Sequence, residues 1–215
     1  MPAAATSRVR CRRKGSCEGA KVGYRAGMSI GHHPDAVDRP IDPVDRLLRR
    51  RVLMLSGMVT SDLAQDIMAR LLYLEAEDPD EPIDVRINSP GGDVLAGLAM
   101  LDTMKNLSCP VGTTCAGLAA SMGSVLLAGG AKGRRRATAN ARILIHQPWS
   151  QGFQGQATDL ERTAQEILRQ RALVDDILAE ATGQPVDRIH KDTDRDTWFS
   201  ADDAVVYGRV DEVAR

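Results

Sequence analysis

A serine and a histidine in this 215-residue chain stand 25 positions apart, in settings that suit nucleophilic catalysis. Ser121 lies in Gly117-Leu118-Ala119-Ala120-Ser121-Met122-Gly123, at the start of a small-residue helix. His146 closes the apolar stretch Arg142-Ile143-Leu144-Ile145 and is followed by Gln147-Pro148. A serine hydroxyl is a weak nucleophile until a neighbouring base takes its proton. A helix start adds unpaired amides and partial positive charge, which favour a developing oxyanion. Taken singly, a serine in a Gly/Ala-rich helix is ordinarily a packing residue, and a histidine closing a strand is ordinarily structural. Further clusters decide between the two readings.

The first is Ile87-Asn88-Ser89-Pro90-Gly91-Gly92-Asp93, where a strand ends and a helix opens. Two glycines there let the backbone turn sharply and aim bare N–H groups at a ligand. The second is Asp192-Thr193-Asp194-Arg195-Asp196, which offers the carboxylate a catalytic histidine needs for orientation and charge. Spacing alone does not choose among Asp192, Asp194 and Asp196.

The elements that must position these groups follow from the pattern. Asp42 and Pro43 cap a short helix through Leu48. Val52 to Leu55 reads as a buried strand ending at Gly57. Thr60 or Ser61 caps a helix with the apolar face Leu63, Ile67, Leu71 and Leu74. Ile83-Asp84-Val85-Arg86-Ile87 alternates as a strand with one polar face. Val94 to Lys105 reads as a helix, Val111 to Cys115 as a strand and Ser121 to Leu127 as a helix. Arg134-Arg135-Arg136 is expected in a solvated hairpin, and Arg142 to Ile145 is the strand delivering His146. The polar, Gly-rich Gln151 to Gln156 precedes a long helix opened by a capping box, Thr158-Asp159-Leu160-Glu161. Its stripe runs Leu160, Ala164, Ile167, Val174 and Leu178, and Gly183 and Pro185 end it. This strand–helix alternation predicts an α/β fold with short crossovers.

The ordered set of motifs is similar to that of the caseinolytic protease (ClpP) family of self-compartmentalising serine peptidases. The segments carrying the resemblance run from about residue 45 to the C-terminus. They are Leu74-Glu75-Ala76-Glu77-Asp78-Pro79, Ile87-Asn88-Ser89-Pro90-Gly91-Gly92, Asp102-Thr103-Met104, Ala119-Ala120-Ser121-Met122-Gly123 and His146-Gln147-Pro148. They continue with Gly155-Gln156-Ala157-Thr158-Asp159, Asp194-Arg195-Asp196 and Ala204-Val205-Val206-Tyr207-Gly208-Arg209-Val210-Asp211.

The resemblance implies a crotonase-like βαβ superhelix with a projecting strand–helix handle. It implies a catalytic triad of Ser121, His146 and Asp196, and an oxyanion hole from the backbone amides of Gly92 and Met122. The implied activity is that of a serine endopeptidase, hydrolysing unfolded proteins or peptides through an acyl-enzyme, without metal or other cofactor. It further implies heptameric rings stacked into a tetradecamer, with Arg195 bridging the rings, and feeding by a Clp/Hsp100 AAA+ ATPase. The pattern departs from the family at the ATPase-docking face. Asp84 and Arg86 replace aromatic residues, and Asn106, Thr114 and Ala116 replace larger apolar ones. Before the first strand, Ile41-Asp42-Pro43-Val44-Asp45 replaces the usual axial segment. These departures point to a paralogue: an alternative reading is a weakly active or structural ring subunit, in a barrel shared with a sister chain that presents the ATPase face. A crotonase-type acyl-CoA enzyme would share the fold but would favour catalytic carboxylates over a Ser/His pair.

Composition is consistent with this reading. Aromatics are 3 % against 43 % hydrophobic residues, so the core is aliphatic. A formal net charge of −1 argues against a nucleic-acid binder. No apolar run reaches the roughly 18 residues of a membrane span. The four cysteines, Cys11, Cys17, Cys109 and Cys115, form neither a zinc-binding spacing nor a disulfide framework. A reducing, cytoplasmic setting follows as the expectation. Residues 1–40 read as a basic N-terminal extension, ahead of a peptidase domain over 41–215. Arg8, Arg10, Arg12, Arg13, Lys14, Lys21 and Arg25 there face the single acid Glu18 within the first 27 residues. That stretch reads as a disordered tail, or as sequence upstream of a start at Met28.

Overall fold

The computed structural model of the chain describes residues 42–148, 152 and 154–215. The readings on the basic N-terminal stretch, on Cys11 and Cys17, and on Gln151 and Phe153 lie outside the described residues.

Asp42 caps α1 (Pro43–Arg49), its carboxylate accepting from the Val44 amide at 2.9 Å. Strand β1 (Val52–Ser56) follows, buried at Leu53 and Leu55. Thr60 then caps α2 (Ser61–Glu77) through the Leu63 amide. Its buried face is Ala64, Ile67, Leu71 and Leu74, while Leu63, read from the sequence as part of that face, packs against the core only partly buried. Strand β2 (Ile83–Ser89) alternates as its pattern demands, with Ile83, Val85, Ile87 and Ser89 inward. Asp93 caps α3 (Val94–Asn106), and β3 (Val111–Ala120) returns to the sheet. Helix α4 (Met122–Ala128) leads to β4 (Arg135–Thr138) and β5 (Arg142–Ile145). The long α5 (Ala157–Thr182) and short α6 (Val186–Asp192) precede β6 (Thr197–Phe199), α7 (Ala201–Tyr207) and β7 (Glu212–Ala214).

The fold is α/β, with a mixed sheet of seven strands among the described residues and helices packed on it. β1, β2, β3, β4 and β7 run parallel in that order. β3 is long enough to hold two partners in line. Its first half pairs with β4 at Thr113↔Arg135, and its second half pairs in parallel with β5 at Ala119↔Ile143. β6 then pairs antiparallel with β5. The core is aliphatic, as the composition requires. Phe199 and Tyr207 are the aromatic pair within it, with ring centroids 4.9 Å apart.

Three expectations are corrected. β3 runs on past Cys115 to Ala120. Gly117 takes φ +103 inside the strand and so bends it. Asn88 holds the bend by accepting from the Leu118 amide at 3.2 Å. The three arginines do not share a solvated hairpin. Arg135 is a buried member of β4, in a bidentate ion pair with Asp211 and donating to the Ala181 carbonyl at 2.7 Å; its neighbours Arg134 and Arg136 are exposed. The capping box at Thr158 does not form: α5 begins at Ala157, with Gln156 as a cap that makes no side-chain bond. Only the second half of α5 reaches the core, through Val174 and Leu178, whereas Leu160 and Leu168 stay exposed. Gly183 in the left-handed conformation (φ +75) ends the helix as its position predicts.

Cys109 and Cys115 are free and buried, and burial pushes the Cys115 thiol up to about 12. Among the described residues, no helix is long and apolar enough to cross a membrane.

Candidate active site

The strand register places the chemistry. β2, β3 and β5 are neighbouring parallel strands, so their C-terminal ends open on one edge of the sheet. Ser89 pairs with Ala119, and Ala120 with Leu144. The Gly91-Gly92 turn, Ser121 and His146 each follow these pairs within three residues, so they converge at that edge. Ligand sites of open α/β sheets gather at such carboxyl ends.

Ser121 occupies the tight turn from β3 into α4, with φ +52 and ψ −125. Arg51 is the one other non-glycine with positive φ among the described residues. Such backbone strain costs of order 1–3 kcal/mol and persists only where surrounding bonds over-determine it. Here the Ser121 amide donates to the Leu144 carbonyl at 3.0 Å. The Ser121 carbonyl accepts from the Ser124 amide at 2.9 Å and the Ser124 hydroxyl at 2.7 Å. The Ser121 hydroxyl makes no capping bond to the helix and so is left for other work. Met122 is the first residue of α4, where an amide has no helical acceptor.

The Gly91-Gly92 turn sits against this elbow. Ser89, fully buried, donates its hydroxyl to the Gly57 carbonyl at 2.6 Å and accepts the Gly91 amide at 3.1 Å. The Gly91 carbonyl accepts from the Val59 amide at 2.9 Å, and the Asp93 amide donates to the Val59 carbonyl at 2.8 Å. These bonds engage the Gly91 amide through Ser89 and the Asp93 amide through Val59, and leave the Gly92 amide between them outside the set. A Cβ on Gly91 would meet Ser121 Cβ at 2.6 Å and the Met122 nitrogen at 2.9 Å. A Cβ on Gly92 would run into the Val59 backbone. Both glycines are required by close approach as well as by their positive φ.

The candidate acid arrives from the other direction. β6 pairs antiparallel with β5 at Ile145↔Thr197, so the next residues outward, His146 and Asp196, face each other. His146 Nδ1 lies 3.0 Å from Asp196 Oδ1. Of the three aspartates the sequence left open, only Asp196 reaches the histidine. Asp192 accepts the Tyr207 hydroxyl at 2.7 Å, and Asp194 faces Gln147 and Arg171. Arg195 projects into solvent, its side chain 88 % exposed. The opposite ring nitrogen, His146 Nε2, is buried and has no hydrogen-bond partner among the described residues.

Ser121 and His146 share the wall of a cleft of about 400 Å³, with Met58, Pro90, Gly91, Gly92, Val94 and Pro148. A broader groove of about 840 Å³ continues past His146 along Gln147, Asp194, Arg195 and Asp196. Behind Ser121 a narrow niche is walled by apolar side chains, among them Val94, Val125, Ile145 and Leu178. Met58 and Pro148 were not singled out from the sequence as cleft residues. The available signal was a methionine beside Gly57, just past the end of the strand read over Val52 to Leu55; in the structure it is exposed. Among the described residues no group of three or more His, Cys, Asp or Glu could hold a metal ion.

A hydroxyl at a strained elbow, an imidazole with one nitrogen committed to a carboxylate, and a glycine turn with a free amide can together perform acyl transfer. Comparison with known proteins agrees in kind. The family model described as Clp protease matches residues 35–215, most of the chain.

Proposed function

Because the chain belongs to the Clp protease family, and is by that membership a peptidase, we propose that it is a serine endopeptidase acting on unfolded polypeptides through an acyl-enzyme. The observation that carries this reading is the placement of His146. Its Nδ1 is committed to Asp196 and its Nε2 is buried and unpaired, on a cleft wall shared with Ser121. In the proposed reaction Asp196 holds the imidazole with its proton on Nδ1, so that Nε2 accepts the proton of Ser121. The serine oxygen attacks the scissile carbonyl, and the amides of Gly92 and Met122 receive the oxyanion. His146 then protonates the leaving amine, and water releases the acyl group by the reverse sequence.

The proposal includes division into an extension over 1–40 and a peptidase domain over 41–215, and a cytoplasmic location. It also includes assembly of heptameric rings into a tetradecamer, with Arg195 at the ring–ring contact. The exposed Leu160 and Leu168 on the half of α5 that leaves the core support such assembly, since apolar side chains in a stripe seek a partner surface. Feeding by an AAA+ unfoldase is part of the same proposal.

A second reading, a weakly active ring subunit beside a sister chain, is favoured by the outer face of β2 and β3. Asp84 pairs with Arg86 at 2.7 Å and accepts the Thr114 hydroxyl at 3.2 Å. An apolar docking loop would have to desolvate this ion-paired cluster, and it would gain little of the ~1.5–3 kcal/mol that each well-buried anchor side chain provides.

A fluorophosphonate probe followed by intact-mass measurement distinguishes the two. One adduct per chain, absent in Ser121→Ala, is the expected result. An unlabelled wild-type chain that becomes labelled only beside a sister subunit supports the second reading.

A further inference from the structure

The acid of the site rides on weak local structure. Asp196 follows the α6 end and precedes β6, a strand of three residues, and its side chain is 62 % exposed. The three-residue pairing of β6 with β5 brings it opposite His146, and further bonds reinforce that placement. Two bonds tie the histidine and acid segments together. The Gln147 amide donates to the Thr193 carbonyl at 2.6 Å, and Gln147 Nε2 donates to the Asp194 carbonyl at 3.0 Å. These are the residues next to His146 and two or three before Asp196.

Beneath this clamp lies a second cluster outside the catalytic set. Asp175 of α5 is 2 % exposed, yet it is a carboxylate in a helix face otherwise built of Val174 and Leu178. Its Oδ1 accepts the Thr193 hydroxyl at 3.1 Å, and its Oδ2 lies 2.8 Å from His190 Nδ1. Thr193 is itself 1 % exposed, and its hydroxyl also reaches the Ile189 carbonyl at 2.9 Å. One turn earlier on α5, Arg171 approaches the Asp194 carboxylate at 3.7 Å. A buried carboxylate is expensive unless it is fully hydrogen-bonded. Leucine or valine would pack this helix face at lower cost if packing were its whole task.

We propose that Asp175 is a positioning residue for the acyl-transfer reaction, holding Thr193 so that the Gln147 clamp presents Asp196 to His146. The proposal rests on the serine-peptidase reading above. Asp175 touches no reacting group; it acts through Thr193, the Thr193 carbonyl and Gln147. Loosening it lets the Asp196 segment drift while Ser121, the glycine turn and the cleft stay on their own strands. Displacement of a catalytic group by about 1 Å can reduce a rate 10²-fold. Substrate binding should be nearly unaffected.

The test uses the full chain in its native assembly. Rates of fluorophosphonate labelling and peptide hydrolysis are measured for wild type and for Asp175→Ala, Asp175→Asn, Thr193→Val and Thr193→Ser. Asp175→Ala and Thr193→Val should each lower kcat and the labelling rate roughly 10- to 100-fold, with KM within twofold. Thr193→Ser, which keeps the hydroxyl, should restore most of the rate. Asp175→Asn, which keeps an acceptor for Thr193, should fall between. In an Asp196→Asn background, Asp175→Ala should have little further effect, because both substitutions act through the same carboxylate. Labelling of Thr193→Val and Asp175→Asn at the wild-type rate overturns the proposal, even if Asp175→Ala fails to fold. So does additivity with Asp196→Asn. A wild-type chain that resists the probe while Ser121 is intact defeats the underlying peptidase reading instead.

Discussion

Backbone donors cannot be deleted by ordinary mutation, but Gly91→Ala reaches the proposed oxyanion hole by steric means. Gly91 has φ +91, and an added Cβ would lie 2.6 Å from Ser121 Cβ, 2.7 Å from the Ala120 carbonyl oxygen and 2.9 Å from the Met122 nitrogen. Comfortable carbon–carbon contact begins near ~3.5 Å. The turn must therefore retreat from the elbow by about 0.9 Å, because two of the three obstacles are backbone and the third is the Ser121 Cβ. Gly92 is bonded to Gly91 and moves with it, taking its amide away from the oxyanion position. Losing one such donor reduces the rate by about 10²–10³, or ~2.7–4 kcal/mol of transition-state stabilisation. The backbone strain itself adds only ~1–2 kcal/mol to folding, within the ordinary stability margin of about 5–15 kcal/mol. The assay is the second-order rate of fluorophosphonate labelling, with the thermal midpoint followed in parallel. Gly133→Ala is the matched control: its φ is +80, and nothing lies within 4 Å of the added Cβ. It should carry the strain alone, lowering the midpoint by roughly 2–4 °C per kcal/mol and leaving labelling unchanged. A folded Gly91→Ala protein that labels at the wild-type rate would refute the argument that this turn faces the reacting oxygen.

Two further predictions concern stability. Burial raises the Asp211 carboxyl pKa, but hydrogen bonds and charge from Arg135 outweigh it and hold the pKa below the ordinary value. A carboxyl depressed on folding adds stability above its unfolded pKa of about 3.9, and that stability is lost as pH falls through the folded value. Asp211→Asn should accordingly flatten the acid limb of a denaturation profile below about pH 4 and lower stability at neutral pH. The neutral-pH loss should be about 3 kcal/mol, since it strands the buried Arg135; an unchanged acid limb defeats the assignment. Arg209 is fully buried over the Phe199 ring and donates once, to the Ser124 carbonyl at 3.1 Å. Its Nε and one Nη have no partner, and burial pushes its pKa down to about 10. Arg209→Leu should raise the midpoint by the equivalent of ~1–4 kcal/mol; a marked fall would show that the guanidinium is stabilised by more than the bonds seen.

Much of the fold was legible because its signals are local. The alternation in β2, the i, i+3, i+4 stripe of α2, the Thr60 cap and the Gly183 terminator each act within a few residues of where they are read. What was missed depends on distant partners. Arg135 reads as one of three surface arginines until Asp211, 76 positions away, is brought to it by β4–β7 pairing. β3 reads as ending at Cys115, and only Asn88 on the neighbouring strand shows how the chain stays extended through Gly117. Thr158 to Glu161 matched a capping box, yet the helix started earlier, where no side chain caps it. The choice among Asp192, Asp194 and Asp196 was likewise a question of register. It needed the antiparallel pairing of β6 with β5, which no spacing rule supplies.

That same register explains how the site divides its labour. The proposed nucleophile, base and oxyanion turn follow the ends of three parallel strands, which are bonded to one another in the core. Their relative positions are set by the sheet, and local bonds such as Ser121 amide to Leu144 carbonyl only refine them. The proposed acid has a thinner frame, the three-residue pairing of β6 with β5. Asp196 enters on the antiparallel edge strand β6, from an exposed segment whose order comes from Gln147, Thr193 and the buried Asp175. The mechanical weak point of the proposed triad is therefore its carboxylate, and that carboxylate is tied to α5. Because the first half of α5 stands clear of the core with Leu160 and Leu168 exposed, any surface that covers it also loads the helix that anchors the acid. Rate and assembly should then vary together through Asp175, and independently of the strand-borne Ser121 and His146.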